Sequence, residues 1–147
     1  MPYRRIVSAC AIAVGAISTV AVVTAGYSIA VDKPYLQYKN LPFPTKQLAV
    51  KAGQVMPLQV ERCNTDSVPH NYSTSHAMQN LVTRESYILP EAIVNIMPGC
   101  TSSESRVNRL PDNVTPGKYR LFGIAEIQGR FTTHFVEWHS QPFEVVQ

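Results

Sequence analysis

The sequence predicts an all-β protein, an antiparallel sandwich of about seven strands preceded by one N-terminal transmembrane helix. Three observations carry this. Residues 6–31 hold no charged side chain. The remainder falls into short apolar or alternating runs split by turn residues, the pattern of strands. Helical spacing of apolar residues is found nowhere beyond the first stretch.

The apolar segment reads IVSACAIAVGAISTVAVVTAGYSIAV. At about 26 residues it would make a helix of roughly 39 Å, more than a ~30 Å hydrocarbon core requires. Tyr3 and Tyr27 lie near its ends, where aromatic rings favour the lipid–water boundary. Arg4 and Arg5 precede it, while Asp32 and Lys33 follow and nearly cancel. The excess of positive charge before the helix places residues 1–5 in the cytoplasm and the rest outside, periplasmic in a bacterium. The expected layout is a cytoplasmic N-terminus over 1–5, a signal anchor over 6–31, a Pro-containing stalk over 32–46 and an extracytoplasmic sandwich over 47–147. A cleaved signal peptide is the alternative, since Ala25 and Ala30 suit a small-residue cleavage site. Lipid attachment at Cys10 fits less well, because the apolar run follows that cysteine instead of preceding it. Within the helix Ala11, Gly15 and Thr19 recur every four residues, a small-residue line along which two copies could associate.

Charged residues make up 16% of the 147-residue chain, below the usual quarter. Of 13 Lys and Arg, two are Arg4 and Arg5, which leaves 11 against 10 Asp and Glu, a net charge of about +1 beyond the segment. There is no Lys/Arg block, and this argues against nucleic acid as a partner. One of the three cysteines, Cys10, lies in the apolar segment. The other two, Cys63 and Cys100, form an isolated pair, which outside the cytoplasm is expected to be a disulfide.

Strands are expected over 47–51, 55–63 and 101–110, with a weaker one over 70–82 and a pair over 87–97 interrupted at Pro90. Pro57 marks its run as an edge or a bulge. The strongest local signal is Pro116-Gly117, suited to the centre of a type II turn with Gly at positive φ. It leads into a strand in which Tyr119, Leu121, Gly123, Ala125 and Ile127 share a face. A short hairpin at 128–129 returns through 130–139, and a last strand spans 143–146.

Leu110-Pro111 followed by Pro116-Gly117-Lys118-Tyr119-Arg120-Leu121 resembles the turn entering the penultimate strand of immunoglobulin-like and fibronectin type III-like sandwiches. That resemblance implies a structural corner at Pro116, Gly117 and Tyr119, with the Tyr119 hydroxyl bonded back to the preceding loop. The chain departs from antibody domains in its cysteines, because Cys100 precedes the Tyr119 strand. The layout of short anchor plus small sandwich is also similar to that of small membrane proteins of tailed bacteriophages and prophages.

Candidate chemistry is sparse. His70 and His76, on one strand, would lie about 20 Å apart, and His134 and His139 would face opposite sides, so neither pair chelates a metal locally. No G-x-S-x-G elbow is present. Asn71-Tyr72-Ser73 and Asn113-Val114-Thr115 match the glycosylation acceptor pattern, which matters only in a eukaryotic secretory pathway. Aromatic residues gather near the C-terminus, where Trp138 with Val136 and Leu121 is expected to fill the core. Phe131 and Phe135 are then the candidate partner surface. The expected function is a membrane-anchored, non-enzymatic binding or shielding module, with no metal or cofactor, facing the lipid bilayer and a protein or envelope glycan. A secreted module is the alternative, and a small envelope hydrolase a further one.

Overall fold

The computed structural model describes residues 19–27, 32–105 and 109–147, in two compact units. Of the described residues the smaller one takes in 19–27, Asp32, Lys33 and Arg130–Thr132. Its described helix spans 19–27, and the rest of the expected span, 6–18 and 28–31, lies outside the described residues. Among the described residues no helix is long and apolar enough to cross a membrane. This overturns the expected transmembrane helix over 6–31 and the single-pass membrane localisation that rested on it. Ala11 and Gly15 of the small-residue line lie outside the described residues, while Thr19 falls at the start of the described helix.

In the same unit the Asp32 carboxylate accepts hydrogen bonds from the amides of Arg130 (3.1 Å), Phe131 (3.0 Å) and Thr132 (2.9 Å). The Thr132 hydroxyl donates a fourth, at 2.9 Å. These bonds, the Phe131 amide foremost, favour the ionised form and hold the carboxyl well below the usual carboxylate range against the opposing effect of desolvation.

The larger unit, Pro34–Gly129 with Thr133–Gln147, is the β domain. Its strands are β1 (Leu36–Tyr38), β2 (Ala49–Lys51), β3 (Leu58–Asn64), β4 (His70–Asn80), β5 (Ser86–Ile96), β6 (Gly99–Ser105), β7 (Gly117–Gln128), β8 (Thr133–His139) and β9 (Phe143–Val146). One sheet has the order β1-β3-β6; the other runs β2-β9-β7-β4-β5, with β8 also paired to β7. Alternation along each strand sends one face inward. On β7 Tyr119, Leu121, Ala125 and Ile127 are at 0% exposure; Leu58 and Val60 from the facing sheet pack in one cluster with Tyr119 and Leu121, while Ala125 and Ile127 belong to a second.

The expected immunoglobulin-like antiparallel sandwich is corrected here. β2 runs parallel to β9, with Val50 opposite Val145, so the larger sheet is mixed. Parallel neighbours need a long connection, and here nearly the whole domain lies between the two strands. The segment expected as a stalk is built into the fold: β1 pairs with β3, and Leu36 and Phe43 are buried. The expected strand pair at 87–97 is one strand, β5. Thr74 pairs with Ala92 and His76 with Leu89, so Pro90 and Glu91 together oppose Ser75 in a bulge, a place where a missing N–H is tolerated.

The Pro116-Gly117 turn also differs from expectation, since Gly117 is not among the residues at positive φ. It opens β7 opposite Val145, and a Cβ there would lie 3.0 Å from the Asn80 side-chain nitrogen. Glycine is used at this position for close approach. Two residues on, the Tyr119 hydroxyl donates to the Thr115 carbonyl at 2.8 Å and lies 3.0 Å from the Thr115 hydroxyl, so a fully buried phenol is satisfied within four residues of chain.

Cys63 and Cys100 are directly opposite in the β3–β6 ladder and joined by a disulfide across a separation of 37 residues. On the chain-entropy model the cross-link stabilises the fold by about 4 kcal/mol. The double variant Cys63→Ser/Cys100→Ser is expected to lose stability of that order in denaturant unfolding, and a loss below about 1 kcal/mol would contradict the model. For Asp32, a folded-state pKa below the unfolded one means its contribution is complete above the ordinary carboxylate value and lost as pH falls beneath it. The Phe131 and Thr132 amide resonances should therefore hold steady from neutrality down to about pH 4 and move only in stronger acid.

Candidate functional site

β-Alternation gives the larger sheet a second face, turned away from the core, and the residues on it are unusually apolar. Pairing in register lines them up in rows. Ile88 of β5, Ala77 of β4, Phe122 of β7 and His139 of β8 form one row. Ile93, Ser73, Glu126 and Phe135 form another, and Ser75, Ile124 and Glu137 lie between them. Exposure is 89% at Ile88, 80% at Ile93, 44% at Ile124 and 66% at Phe135. Single exposed apolar side chains are ordinary on a protein surface; five large ones on one sheet face, Ile88, Ile93, Phe122, Ile124 and Phe135, make it the candidate interaction surface.

The face is shaped as well as apolar. A groove of about 430 Å³ is lined by Arg120, Phe122, Ile124, Glu137 and His139. A second, of about 260 Å³, is lined by Ser73, Ile93, Glu126 and Gln128. Glu126 and Glu137 are exposed, each cross-strand from a large apolar residue, Phe135 and Ile124 respectively. Arg120 and Glu137 line the first groove together, and Glu126 lines the second.

Of the residues singled out from the sequence, Phe135 lies on this face. Phe131 is 52% exposed and sits in the connection between β7 and β8, with the Arg130 guanidinium 5.3 Å from its ring centre. Trp138 and Leu121 are buried in the main core; Val136 is partly buried against a second cluster that contains Tyr72, Ala125 and Ile127. Pro116 is exposed at the corner. Ile88, Ile93, Phe122 and Ile124 were not singled out, although a signal existed: both alternating sets of β5 and β7 contain large apolar residues, more than one buried face can use.

The histidines are dispersed. His70 bonds Asp66 at 2.8 Å and stacks on Tyr35, and this bond in turn lowers the Asp66 pKa. His76 points into the domain and is 4% exposed. Among the described residues no three His, Cys, Asp or Glu side chains are grouped as metal ligands.

No protein-family model and no curated protein matches this sequence. Solved structures resemble it in part. An alkylpurine DNA glycosylase of Pseudomonas fluorescens bound to DNA is 10% identical over 78% of this chain and 31% of its own, with a TM-score of 0.46. A family 123 glycoside hydrolase from Clostridium perfringens is 16% identical over 67% of this chain and 22% of its own, at 0.36. A beta-glucosidase from Listeria innocua is 11% identical over 80% of this chain and 16% of its own, at 0.38. The chain thus spans less than a third of each of these proteins. The expectation of a non-enzymatic chain finds no support in this set, since all three of these proteins are enzymes. At such scores the likeness carries no reaction, substrate or catalytic residue over to this chain.

Two kinds of substitution should separate the outer face from the core. Ile93→Ser and Phe135→Ser are expected to change unfolding free energy by no more than about 0.5 kcal/mol, being exposed. Leu121→Ala should cost about 2–5 kcal/mol by leaving a cavity. Denaturant titration of the three variants checks the assignment of the two faces.

Proposed function

We propose that the β domain is a binding module that seats a protein partner on the outer face of β5, β4, β7 and β8. The observation that carries this reading is the clustering of Ile88, Ile93, Phe122, Ile124 and Phe135 on that one face, all substantially exposed. Burying such side chains against a partner is favourable by about 25 cal/mol per Å² of apolar surface removed from water. The partner surface that fits is apolar and carries basic groups, because Glu126 and Glu137 are set among the apolar residues. Left without cations opposite them, those carboxylates would lose hydration with nothing to replace it. Aromatic and branched aliphatic side chains at the centre would supply most of the affinity, and the charges would fix orientation and partner choice.

Photo-crosslinking of the full chain in its native cells tests this reading. A crosslinking side chain replacing Ile93 or Phe135 is expected to capture the same protein, and the same group replacing Glu61, exposed on the other sheet, should not. Glu137→Lys should reduce the yield from position 93 roughly tenfold, a change of about 1.4 kcal/mol. Equal capture from position 61, or different proteins from 93 and 135, would rule out a single docking face.

A further inference from the structure

Between the two sheets lies a small cavity whose polar groups are left over from the fold. His76 projects into it from β4 and Arg62 from β3, with Tyr72, Tyr38 and Ser105 nearby and Trp138 along one wall. His76 is 4% exposed, and neither of its ring nitrogens has a hydrogen-bond partner. The Arg62 Nε is likewise buried and unpartnered, although its Nη1 donates to the Tyr72 hydroxyl at 3.3 Å. Unmatched buried donors are rare in folded proteins and costly, so two residues of this kind lining one cavity call for a ligand.

The room for the indole that walls the cavity comes from Gly123. It stands between His76 and Trp138 in the sheet, and a Cβ there would come within 2.6 Å of both the Ser75 carbonyl and the indole ring. The indole N–H is already used, donating to the Thr74 hydroxyl at 3.2 Å. The cavity measures about 30 Å³, a few times the ~10–15 Å³ that admits one water. Tyr38, Arg62, Val94 and Ser105 are only partly buried, and these form its rim.

We propose that this cavity binds a small carboxylate, of acetate size, held between His76 and Arg62. The chemistry is selective for an anion, because no Asp or Glu is among the lining residues and the guanidinium is a permanent cation. A carboxylate presents two acceptor oxygens, one for the Arg62 Nε–H and one for a His76 N–H, which joins the two sheets through the ligand. Burial holds the His76 pKa below its ordinary value, with Glu91 opposing, and a neutral imidazole still offers one N–H. This site lies on the core side of the sheet and is independent of the docking face proposed above.

Trp138 is the chain's one tryptophan, so its fluorescence reports on the cavity. The full-length protein is titrated with sodium acetate at constant pH and ionic strength, with sodium chloride as the control, following Trp138 emission and the His76 ring nitrogen resonances. A saturable change in both signals with acetate, absent with chloride, is expected. Arg62→Gln, at the rim, should weaken it roughly ten- to a hundredfold, the loss of one charge-assisted hydrogen bond. Absence of a saturable acetate response in the unaltered protein would overturn the proposal, as would undiminished affinity in Arg62→Gln.

Discussion

The two-residue alternation of β7 is the constraint on which the rest of the β domain depends. One set of its side chains, Tyr119, Leu121, Ala125 and Ile127, has no exposed surface at all. A shift of one residue in register would turn that whole set to solvent, so the pairings of β7 with β4, β8 and β9 are held in place by burial. The strand also divides its labour along its length. Gly117–Tyr119 pair with β9, and Phe122–Gln128 pair with β8. At the changeover Ser140, wholly buried, accepts from the Leu121 amide at 3.1 Å and donates to the Gln141 carbonyl at 2.7 Å. One hydroxyl thereby keeps the ladder satisfied where the neighbouring strand breaks at Pro142.

The smallest residues of β7 determine what its two faces can do. With no side chain at Gly123, the Trp138 indole can lie over the strand, with the Phe43 and His76 rings 5.5 and 5.8 Å from it between centres. A larger residue there would collide with the indole and with the Ser75 carbonyl. On the opposite side of the same strand Phe122 and Ile124 point outward. The inner cavity and the outer face are therefore built by adjacent residues of one strand with different demands, polar space within and apolar surface without.

Edges of the larger sheet show how the fold limits unwanted pairing. β5 is an edge strand of eleven residues, long enough to template another strand. Pro90 and Glu91 interrupt it with a bulge, a missing donor and a charge, which leaves the face of β5 available and its edge less so. The other end of the sheet is closed by the short β2, whose parallel pairing with β9 is reinforced by hydrogen bonds from Glu144 to the Leu48 carbonyl and between Phe43 and the 139–141 segment. These contacts draw residues 34–51 into the domain.

Much of the local structure was legible in the chain itself. Alternation from Lys118 to Ile127 is local, requires no knowledge of neighbours, and set Tyr119, Leu121, Gly123, Ala125 and Ile127 on one face of β7, the face that the fold buries. Cys63 and Cys100 stood out because a pair of thiols has few partners to choose from. Only tertiary structure decided the rest. Residues 34–46, rich in proline, carry no periodic signal, and their burial follows from β1 finding β3 and from Phe43 reaching the core. Parallel pairing of β2 with β9 joins segments about a hundred residues apart, and no local pattern encodes it. The outer face and the His76 cavity belong to the same class: each is assembled across several strands, and its chemistry arises only when register places those residues side by side.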